Sequence, residues 1–288
     1  MFLSTNWTDY EILDAGNGAK LERWGDFRLL RPDPQAIWPM DEPTYVDAHY
    51  IRSTTGGGHW EYNRTLPESW SVRYNELEFI VRPTGFKHTG LFPEQAVNWD
   101  WMGGIARDSE LGIRNSEFRV LNLFAYTGGA TCALLSAGAS VVHVDAAKGM
   151  VAWAKENVAR CGLADRDVRF IIDDAMKFVQ REQRRGKVYE GILMDPPSYG
   201  RGPNGEMWKI EDDLYTLVRE CVKLLSPDAR FFLINSYTTG LAPSVLSSVL
   251  SVALRGCGGN IEAGEVGLPI TRGGLVLPCG ASGRWSLG

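Results

Sequence analysis

Apolar runs alternate with amphipathic segments along the second half of the chain. The nearly continuous apolar runs are 119–124, 140–145, 168–172, 189–194 and 230–235. The segments with helical spacing between and after them are 130–137, 150–161, 175–183, 212–225 and 243–255. Strands that alternate with helices predict crossover connections and a mostly parallel sheet. Apolar runs without polar alternation are typical of strands that are covered on both faces.

Both ends of the chain depart from this alternation. The segments 264–269 and 284–287 predict an antiparallel hairpin at the edge of the sheet. The first 85 residues instead hold short β-type runs separated by turn signals, including the hairpin-type pair Asn17-Gly18 and a predicted flexible tip at 54–58. We therefore predict a small, mostly antiparallel β domain at 1–85 and an α/β domain at 86–288.

Composition narrows the class of protein. The chain has 288 residues, 44% of them hydrophobic and 23% charged, which is typical of a soluble globular protein. No apolar run approaches the roughly 18 residues of a membrane span, and the N-terminus lacks the basic and apolar regions of a secretory signal. Five scattered cysteines without metal-ligand spacing indicate a reduced, cytoplasmic protein without a metal site. The net charge of −5 argues against a large nucleic-acid footprint, although it permits a local basic patch.

Candidate chemistry falls at the ends of the predicted strands, where ligands of open α/β sheets collect. The first strand leads into Asn122-Leu123-Phe124-Ala125-Tyr126-Thr127-Gly128-Gly129. Glycines at such a turn let a ligand approach the backbone closely, although a plain tight turn has the same pattern. The spacing differs from the phosphate-binding G-x-G-x-x-G fingerprint, so a nucleoside ligand without phosphates fits better.

Acidic residues close the next two strands. Asp145 follows the second strand and can accept hydrogen bonds from ribose hydroxyls; its alternative role is a helix cap. Asp173 and Asp174 close the third strand, where one can cap the following helix while the other faces the cleft. We assign Asp174 to an adenine amino group, with Asp173 as the alternative.

The fourth strand ends in Asp195-Pro196-Pro197-Ser198-Tyr199. Prolines fix the backbone and remove amide donors, so carbonyl groups and the Asp195 carboxylate can point into the cleft. The face of Tyr199 can stack on a planar ring. An ordinary strand-ending turn is the alternative, but this motif after the fourth strand of the alternation is more specific than that.

The ordered motifs NLFAYTGGAT, VVHVD, IIDDA and MDPPSYG resemble those of class I S-adenosylmethionine-dependent methyltransferases, in particular the bacterial group of ribosomal RNA large-subunit methyltransferases I and K/L. The resemblance covers about residues 86–288 and implies a doubly wound, mostly parallel seven-stranded sheet. It implies that Asp145 holds the ribose of the cofactor, that Asp174 holds the adenine, and that the stretch from Asp195 to Tyr199 holds the methyl acceptor. The residues implied to hold the methionine part of the cofactor are Asn122, Phe124, Tyr126, Thr127, Gly128 and Gly129, and Phe92 and Gln95 are implied to close over it.

Two departures from the family shape the expected mechanism. Members that methylate carbon 5 of cytosine carry a nucleophilic cysteine after the fifth strand, and Tyr237 stands near that position here. We interpret Cys279 as structural. The RNA-binding front domain of the methyltransferase I branch is not evident in residues 1–85. We therefore predict transfer to a nitrogen without a covalent intermediate, with the acceptor base flipped out and stacked on Tyr199.

RNA, and ribosomal RNA in particular, is the favoured substrate by resemblance, while a protein or small-molecule acceptor stays open. Arg201 and Lys209 are candidate phosphate contacts, and the cluster of Arg181, Arg184, Arg185 and Lys187 is more typical of a solvated helix end. A nicotinamide-dependent oxidoreductase and a non-catalytic RNA-binding module are alternatives from other classes. The tryptophan-rich front domain is a candidate oligomer interface, with a small core that needs large side chains as the alternative.

Overall fold

The structure is a computed structural model that describes residues 1–53, 57–108, 118–201 and 207–287, with only the backbone of Arg201. Most of the predicted flexible tip at 54–58 and much of the loop after Tyr199 lie outside the described residues. The chain forms two compact units. The smaller comprises Met1–Val97 and Val266–Cys279, and the larger comprises Asn98–Glu265 and Gly280–Gly288.

The smaller unit is built from β-strands. Its strands are β1 (Phe2–Leu3), β2 (Tyr10–Gly16), β3 (Ala19–Trp24), β4 (Phe27–Pro32), β5 (Ala48–Arg52), β6 (Gly58–Tyr62), β7 (Trp70–Tyr74) and β8 (Leu77–Val81). A five-stranded sheet has the order β2-β3-β4-β5-β6, in which only β4 and β5 are parallel, and β7 and β8 form a separate hairpin. Asn17 and Gly18 join β2 to β3 with φ of 52° and 75°. Positive φ at both positions is the geometry that favours an Asn-Gly pair in a hairpin.

The remaining elements alternate as the hydrophobic pattern predicts. In chain order they are α1 (Ala96–Arg107), β9 (Arg119–Leu123), α2 (Gly129–Ser136), β10 (Ser140–Asp145), α3 (Lys148–Arg160), β11 (Val168–Ile172), α4 (Ala175–Arg184), β12 (Gly191–Met194), β13 (Tyr199–Arg201), β14 (Met207–Lys209), α5 (Ile210–Val222), β15 (Phe231–Ser236), α6 (Pro243–Ala253), β16 (Asn260–Pro269) and β17 (Val276–Ser286). A single-turn 3₁₀ helix, Pro93–Gln95, precedes α1.

The order of the parallel strands reverses at β9. Within the larger unit the order is β17-β15-β12-β9-β10-β11, with β17 antiparallel to β15 and the other five strands parallel. From β9 the chain proceeds outward through β10 and β11, and then returns to the other side of β9 as β12. Ligands of open α/β sheets bind at such a switch point, beyond the carboxyl ends of the strands.

Both faces of the central strands are buried. Leu121, Val142, Ile192 and Phe232 lie in one buried cluster with residues of α4, α5 and α6. Their neighbours in sequence, such as Val141 and Leu193, are also buried, and successive side chains of a strand point to opposite faces. Both faces of these strands are therefore covered, which explains why their sequences lack polar alternation.

Three features differ from the sequence-based predictions. In the described part of the chain the large sheet has eight strands, one more than the seven expected, because the short β1 pairs with Val266 and Gly267 of β16. The hairpin strands β16 and β17 are longer than predicted and run from one unit into the other. Helix α1 was not predicted, since its sequence AVNWDWMGGIAR contains a Gly-Gly pair and mixed polarity.

The boundary between the units also differs from the predicted boundary at residue 85. The segment 266–279 returns to the smaller unit, where the Thr271 amide donates to the Ile12 carbonyl at 2.9 Å. Contacts between residues so distant in sequence leave no local signal. Among the residues that the structure describes, no helix is both long enough and apolar enough to cross a membrane.

Candidate active site

Four parallel strands bring the predicted site residues to one edge of the sheet. Leu123, the last residue of β9, is paired with Val144 of β10 and with Met194 of β12. Asp145 of β10 is in turn paired with Ile172, the last residue of β11. The turn after β9 and the acids that end or follow the other three strands therefore lie side by side, as the sequence predicts.

The turn after β9 is held in an unusual backbone conformation. Phe124 and Tyr126 have φ of 55° and 51°, which non-glycine residues rarely adopt. Such residues concentrate at ligand-binding sites, where the surrounding structure has to hold them in place. Here the Ala125 amide donates to the Val144 carbonyl at 3.0 Å. The Asp145 carboxylate accepts from the Tyr126 amide at 2.8 Å.

Close packing explains the two glycines that follow. Gly128 has φ of 84°, and a Cβ added there would lie 3.0 Å from the Cβ of Ala154 in α3. A Cβ added at Gly129 would lie 2.7 Å from Cζ2 of Trp99 in α1. Both positions therefore require glycine, one for its conformation and both for the close approach of neighbouring helices.

Asp145 is fixed by the backbone on both carboxylate oxygens. Oδ2 accepts from the Tyr126 amide, and Oδ1 accepts from the Ala147 amide at 2.8 Å. Burial raises the pKa of Asp145, while these two amides act in the opposite direction. Each carboxylate oxygen can accept more than one hydrogen bond, so Asp145 keeps acceptor capacity for the hydroxyls of a ribose.

Asn122 and Thr127 connect the turn to helices α2 and α3 through hydrogen bonds. The Asn122 amide donates to the Thr131 hydroxyl at 3.0 Å, and Thr131 lies 2.9 Å from Nδ1 of His143. Burial lowers the pKa of His143 to about 3, so its ring is neutral. The Thr127 carbonyl accepts from Asn157 of α3 at 2.8 Å. In this arrangement the Asn122 side chain connects β9 to α2.

The two acids after β11 have different partners. Oδ1 of Asp174 accepts from the Lys177 amide at 2.9 Å, so Asp174 is the N-cap of α4. Asp173 pairs with Arg181 at 2.5 Å and also accepts from the Asp174 amide. The capping role that the sequence allows for one of the two acids therefore belongs to Asp174, and Asp173 pairs with an arginine of α4.

The stretch Asp195–Tyr199, which the resemblance assigns to the methyl acceptor and which is called the acceptor motif below, follows β12 directly beside the turn. The Asp195 amide lies 3.4 Å from the Leu123 carbonyl, which connects the motif to the end of β9. Pro196 is buried and Pro197 is exposed. The Ser198 and Thr238 hydroxyls lie 2.6 Å apart. Tyr199 is half-exposed, and its hydroxyl lies 3.7 Å from the Met207 sulfur.

Sequence reasoning missed two side chains at this motif. Trp208 of β14 donates its indole N–H to the Pro197 carbonyl at 2.6 Å, and its ring centroid lies 5.5 Å from that of Phe124. Thr238, after β15, anchors Ser198 from the other side. Nothing in the local sequence of Trp208 indicates that it contacts two motifs distant along the chain.

Several predicted residues lie outside this edge or outside the description. Phe92 and Gln95 belong to the smaller unit, where the Phe92 ring lies 5.2 Å from the ring of His88. Arg201 is a candidate phosphate contact whose side chain lies outside the described residues. Lys209 is half-exposed and lies 3.9 Å from Asp212.

The basic cluster near the end of α4 is partly neutralised by one acid before this helix and one acid within it. Arg181 pairs with Asp173, and Arg185 lies 3.2 Å from the buried Glu182. Arg184 and Lys187 are exposed. In the described parts of the chain, no group of three or more His, Cys, Asp or Glu side chains has the arrangement of a metal site.

The site suits a nucleoside cofactor that carries an amino acid in place of phosphates. The backbone of the turn is held in the left-handed conformation at Phe124, Tyr126 and Gly128, and Asp145 is held in place with acceptor capacity remaining. These are the properties expected of residues that hold the methionine part and the ribose of S-adenosylmethionine.

Comparison with known proteins agrees with this chemistry. The model of the S-adenosylmethionine-dependent methyltransferase family matches residues 40–247. The ribosomal RNA large subunit methyltransferase K/L of Shewanella frigidimarina is 32% identical over 161 residues, and that of Shewanella baltica is 31% identical over the same length. These matches include 55% of this chain and 21% of each relative. The chain thus spans about a fifth of the length of these curated relatives.

Solved structures extend the similarity to nearly the whole chain. The S-adenosylmethionine-dependent methyltransferase from Agrobacterium tumefaciens is 37% identical, with a TM-score of 0.93 over 99% of this chain and 92% of that one. SMU.776, a structure named as a methyltransferase and complexed with SAH, has a TM-score of 0.70 at 18% identity, covering 98% of this chain and 76% of that one. The second similarity supports the fold alone. With its family model matched over residues 40–247 of 288, the chain belongs to the S-adenosylmethionine-dependent methyltransferases and is an enzyme that uses this cofactor.

Proposed function

We propose that this enzyme methylates a base nitrogen of RNA, with ribosomal RNA the favoured substrate, and that no covalent enzyme–substrate intermediate forms. The observation that carries the proposal is the Asp195-Pro196-Pro197 motif beside the turn after β9, with the Asp195 amide 3.4 Å from the Leu123 carbonyl. The names of the Shewanella relatives support ribosomal RNA as the substrate class.

The cofactor assignments are part of the same proposal. We infer that the turn from Asn122 to Gly129 holds the methionine part and that Asp145 accepts from the ribose hydroxyls. Asp174 is our first choice for the adenine amino group, with Asp173 as the alternative. Closure by Phe92 and Gln95 stays a prediction.

The residues of the acceptor motif would act by orienting a nitrogen. The bound cofactor supplies an electrophilic methyl group on a sulfonium. The Asp195 carboxylate and the Pro196 carbonyl would accept N–H groups of the base and so turn the nitrogen lone pair toward that methyl. Orientation of this kind is a major source of rate acceleration in bimolecular transfer. The face of Tyr199, half-exposed beside the motif, would stack on the flipped base.

The cysteines support a non-covalent route. Tyr237 follows β15 near the position of the nucleophilic cysteine in carbon-5 methyltransferases, and its ring packs against Gly280. Cys279 belongs to the smaller unit, and burial raises the pKa of its thiol well above the usual value. A protonated thiol is a poor nucleophile, so Cys279 is not suited to attack a pyrimidine ring.

Labelling identifies the acceptor directly. The protein is incubated with methyl-labelled S-adenosylmethionine and with total RNA from a strain that lacks this protein, and label is then mapped in the RNA. We expect label on a base nitrogen of ribosomal RNA. Label only in a protein or small-molecule fraction would overturn the choice of RNA, and an RNA–protein adduct that survives denaturation would overturn the non-covalent mechanism.

An acceptor-site variant tests the residues. Asp195→Ala removes the carboxylate, and we expect methyl transfer to fall by at least about a hundredfold, since charged hydrogen bonds of the acceptor are lost. The affinity for S-adenosylhomocysteine, measured by calorimetry, should stay within about twofold, because the bonds that hold Asp145 are untouched. Full activity of Asp195→Ala would refute the site.

A further inference from the structure

Trp208 contacts both halves of the candidate active site. Its indole N–H donates to the Pro197 carbonyl of the acceptor motif at 2.6 Å. Its ring meets Phe124, the first residue of the turn after β9, with centroids 5.5 Å apart and planes inclined by 52°. Phe124 and Trp208 are also both packed against the buried cluster under α4–α6. One side chain thus joins the turn from Asn122 to Gly129, the cofactor turn of the proposed function, to the acceptor motif.

The hydrogen bond holds one carbonyl of the motif in a defined direction. Proline lacks an amide donor, so the Pro-Pro pair presents carbonyls without neighbouring N–H groups of its own. The indole of Trp208 already occupies the Pro197 carbonyl at a short distance. A carbonyl oxygen can accept a second hydrogen bond, so the indole fixes the direction of the Pro197 carbonyl without preventing it from accepting an N–H of the acceptor base.

The hairpin that carries Trp208 is itself anchored to the motif. In the register of β13 with β14, Trp208 lies opposite Gly200 and Lys209 lies opposite Tyr199. The Ile210 amide, at the start of α5, donates to the Ser198 carbonyl at 3.1 Å. The strand pairing and the Ile210–Ser198 hydrogen bond therefore connect the backbone around Trp208 to the motif, which gives the bond from Trp208 to Pro197 a fixed direction.

We propose that Trp208 is a positioning residue of the methyl-transfer reaction, which couples the cofactor turn to the acceptor motif. Its N–H fixes the direction of the Pro197 carbonyl, and its ring supports Phe124 in the left-handed conformation with φ of 55°. The role in transfer rests on the proposed function, whereas the contact with the cofactor turn does not depend on the identity of the acceptor.

Two substitutions separate the two contacts. Trp208→Phe keeps an aromatic ring beside Phe124 and removes the N–H, so we expect kcat to fall about threefold to tenfold with little change in KM for the RNA, the range typical of one hydrogen bond. The affinity of Trp208→Phe for S-adenosylhomocysteine should stay within about twofold of that of the unmodified protein, since the ring contact is kept. Trp208→Ala removes both contacts and should in addition weaken that affinity about threefold to tenfold.

Trp70→Phe is the matched control. Trp70 also donates its indole N–H to a backbone carbonyl, that of Trp24 at 3.0 Å, and its ring lies 4.8 Å from the ring of Phe27 in the smaller unit. The same chemical change is therefore made outside the candidate site. We expect Trp70→Phe to leave kcat and the affinity for S-adenosylhomocysteine unchanged, even where it lowers the melting temperature.

The two readouts keep the inference separate from the proposed function. If the unmodified protein places no label in RNA, the proposed substrate fails, while calorimetry still compares Trp208→Phe with Trp208→Ala. Equal affinities of both variants for S-adenosylhomocysteine would overturn the coupling to the cofactor turn. An unchanged kcat in Trp208→Phe, with RNA methylation established, would overturn the role of the Pro197 bond. Should the alanine variant fail to fold, a loss of affinity in Trp208→Phe equal to the loss in kcat would also contradict the proposal.

Discussion

Replacing Gly128 with alanine tests whether the turn after β9 is both tightly packed and the place where the cofactor binds. Gly128 has φ of 84°, a conformation that is unfavourable for any residue with a Cβ. It also lies against α3, where an added Cβ would be 3.0 Å from the Cβ and 3.4 Å from the Cα of Ala154. The substitution therefore introduces two separate penalties at one position.

The size of each penalty follows from this geometry. An alanine in the left-handed region costs about 1–2 kcal/mol. Inserting a methyl group into a well-packed site costs typically about 1–3 kcal/mol. Gly128→Ala should thus lower the free energy of unfolding by about 2–5 kcal/mol, and the melting temperature by at least about 4 °C for a chain of this size.

Gly138 and Ala154 provide the controls. Gly138 has φ of 92°, and an added Cβ would meet no heavy atom within 4 Å in the described part of the chain. Gly138→Ala should therefore carry only the conformational penalty of about 1–2 kcal/mol. Combining Gly128→Ala with Ala154→Gly removes the opposing methyl group, so the double variant should be more stable than the sum of the single effects predicts.

Calorimetric unfolding and titration with S-adenosylhomocysteine measure both consequences. We expect Gly128→Ala to weaken binding at least about tenfold, because a shift of the turn displaces the backbone that the cofactor approaches, and we expect Gly138→Ala to bind normally. A stability loss in Gly128→Ala no larger than that in Gly138→Ala would refute the packing against α3. Unchanged affinity in Gly128→Ala would refute the assignment of the turn to the cofactor.

Four further substitutions test other groups. Because burial raises the pKa of Asp145, the affinity for S-adenosylhomocysteine should fall at a higher pH during acidification than an ordinary aspartate would give, and Asp145→Asn should flatten this profile in a calorimetric pH series. Asp174→Ala should lower the free energy of unfolding by about 0.5–2 kcal/mol through loss of the helix cap. It should also weaken cofactor binding at least about tenfold if Asp174 holds the adenine. Weaker binding in Asp173→Asn alone would assign the adenine to Asp173. Glu22→Gln should lower the free energy of unfolding by about 3–5 kcal/mol, because it leaves Arg31 buried without its carboxylate partner. Burial alone would raise the pKa of Glu22, but the charges of Arg31 and Lys20 outweigh burial and lower it. The stabilisation from Glu22 is therefore present above the pKa of glutamate in the unfolded chain and is lost as the pH falls through the lower pKa of the folded protein. The denaturation curves of Glu22→Gln and the unmodified protein should thus converge in acid.

The parallel sheet could be predicted because its signals are local. Each strand is a short apolar run, and each is followed by a turn or an acid whose chemistry is visible in the sequence. The parallel arrangement then places these ends at one edge without further information, as the pairing of Asp145 with Ile172 and of Leu123 with Met194 confirms. The resemblance of the motifs to the family then assigned the methionine part, the ribose, the adenine and the methyl acceptor to the successive strand ends.

The interactions that the sequence did not reveal are long-range contacts. Helix α1 places Asn98 in a buried network, where its amide donates to Ser282 at 2.9 Å and its carbonyl accepts from Arg284. The segment 266–279 belongs to the smaller unit through contacts such as that of Thr271 with Ile12. Neither hydrophobic period nor turn chemistry carries this kind of information, because each contact depends on which distant residues the fold brings together.

The conformation of the turn and the ionisation of Asp145 are linked by the same hydrogen bond. Tyr126 is held at φ of 51°, and its amide is bound by the Asp145 carboxylate at 2.8 Å. An ionised carboxylate accepts more strongly than a protonated one, yet burial opposes its ionisation. The ionised Asp145 is thus a partly buried charge whose hydrogen bond holds Tyr126 in the left-handed conformation. In the proposed role of Asp145, ribose hydroxyls would donate to the same carboxylate and stabilise the ionised form further, so cofactor binding and the conformation of the turn would reinforce each other.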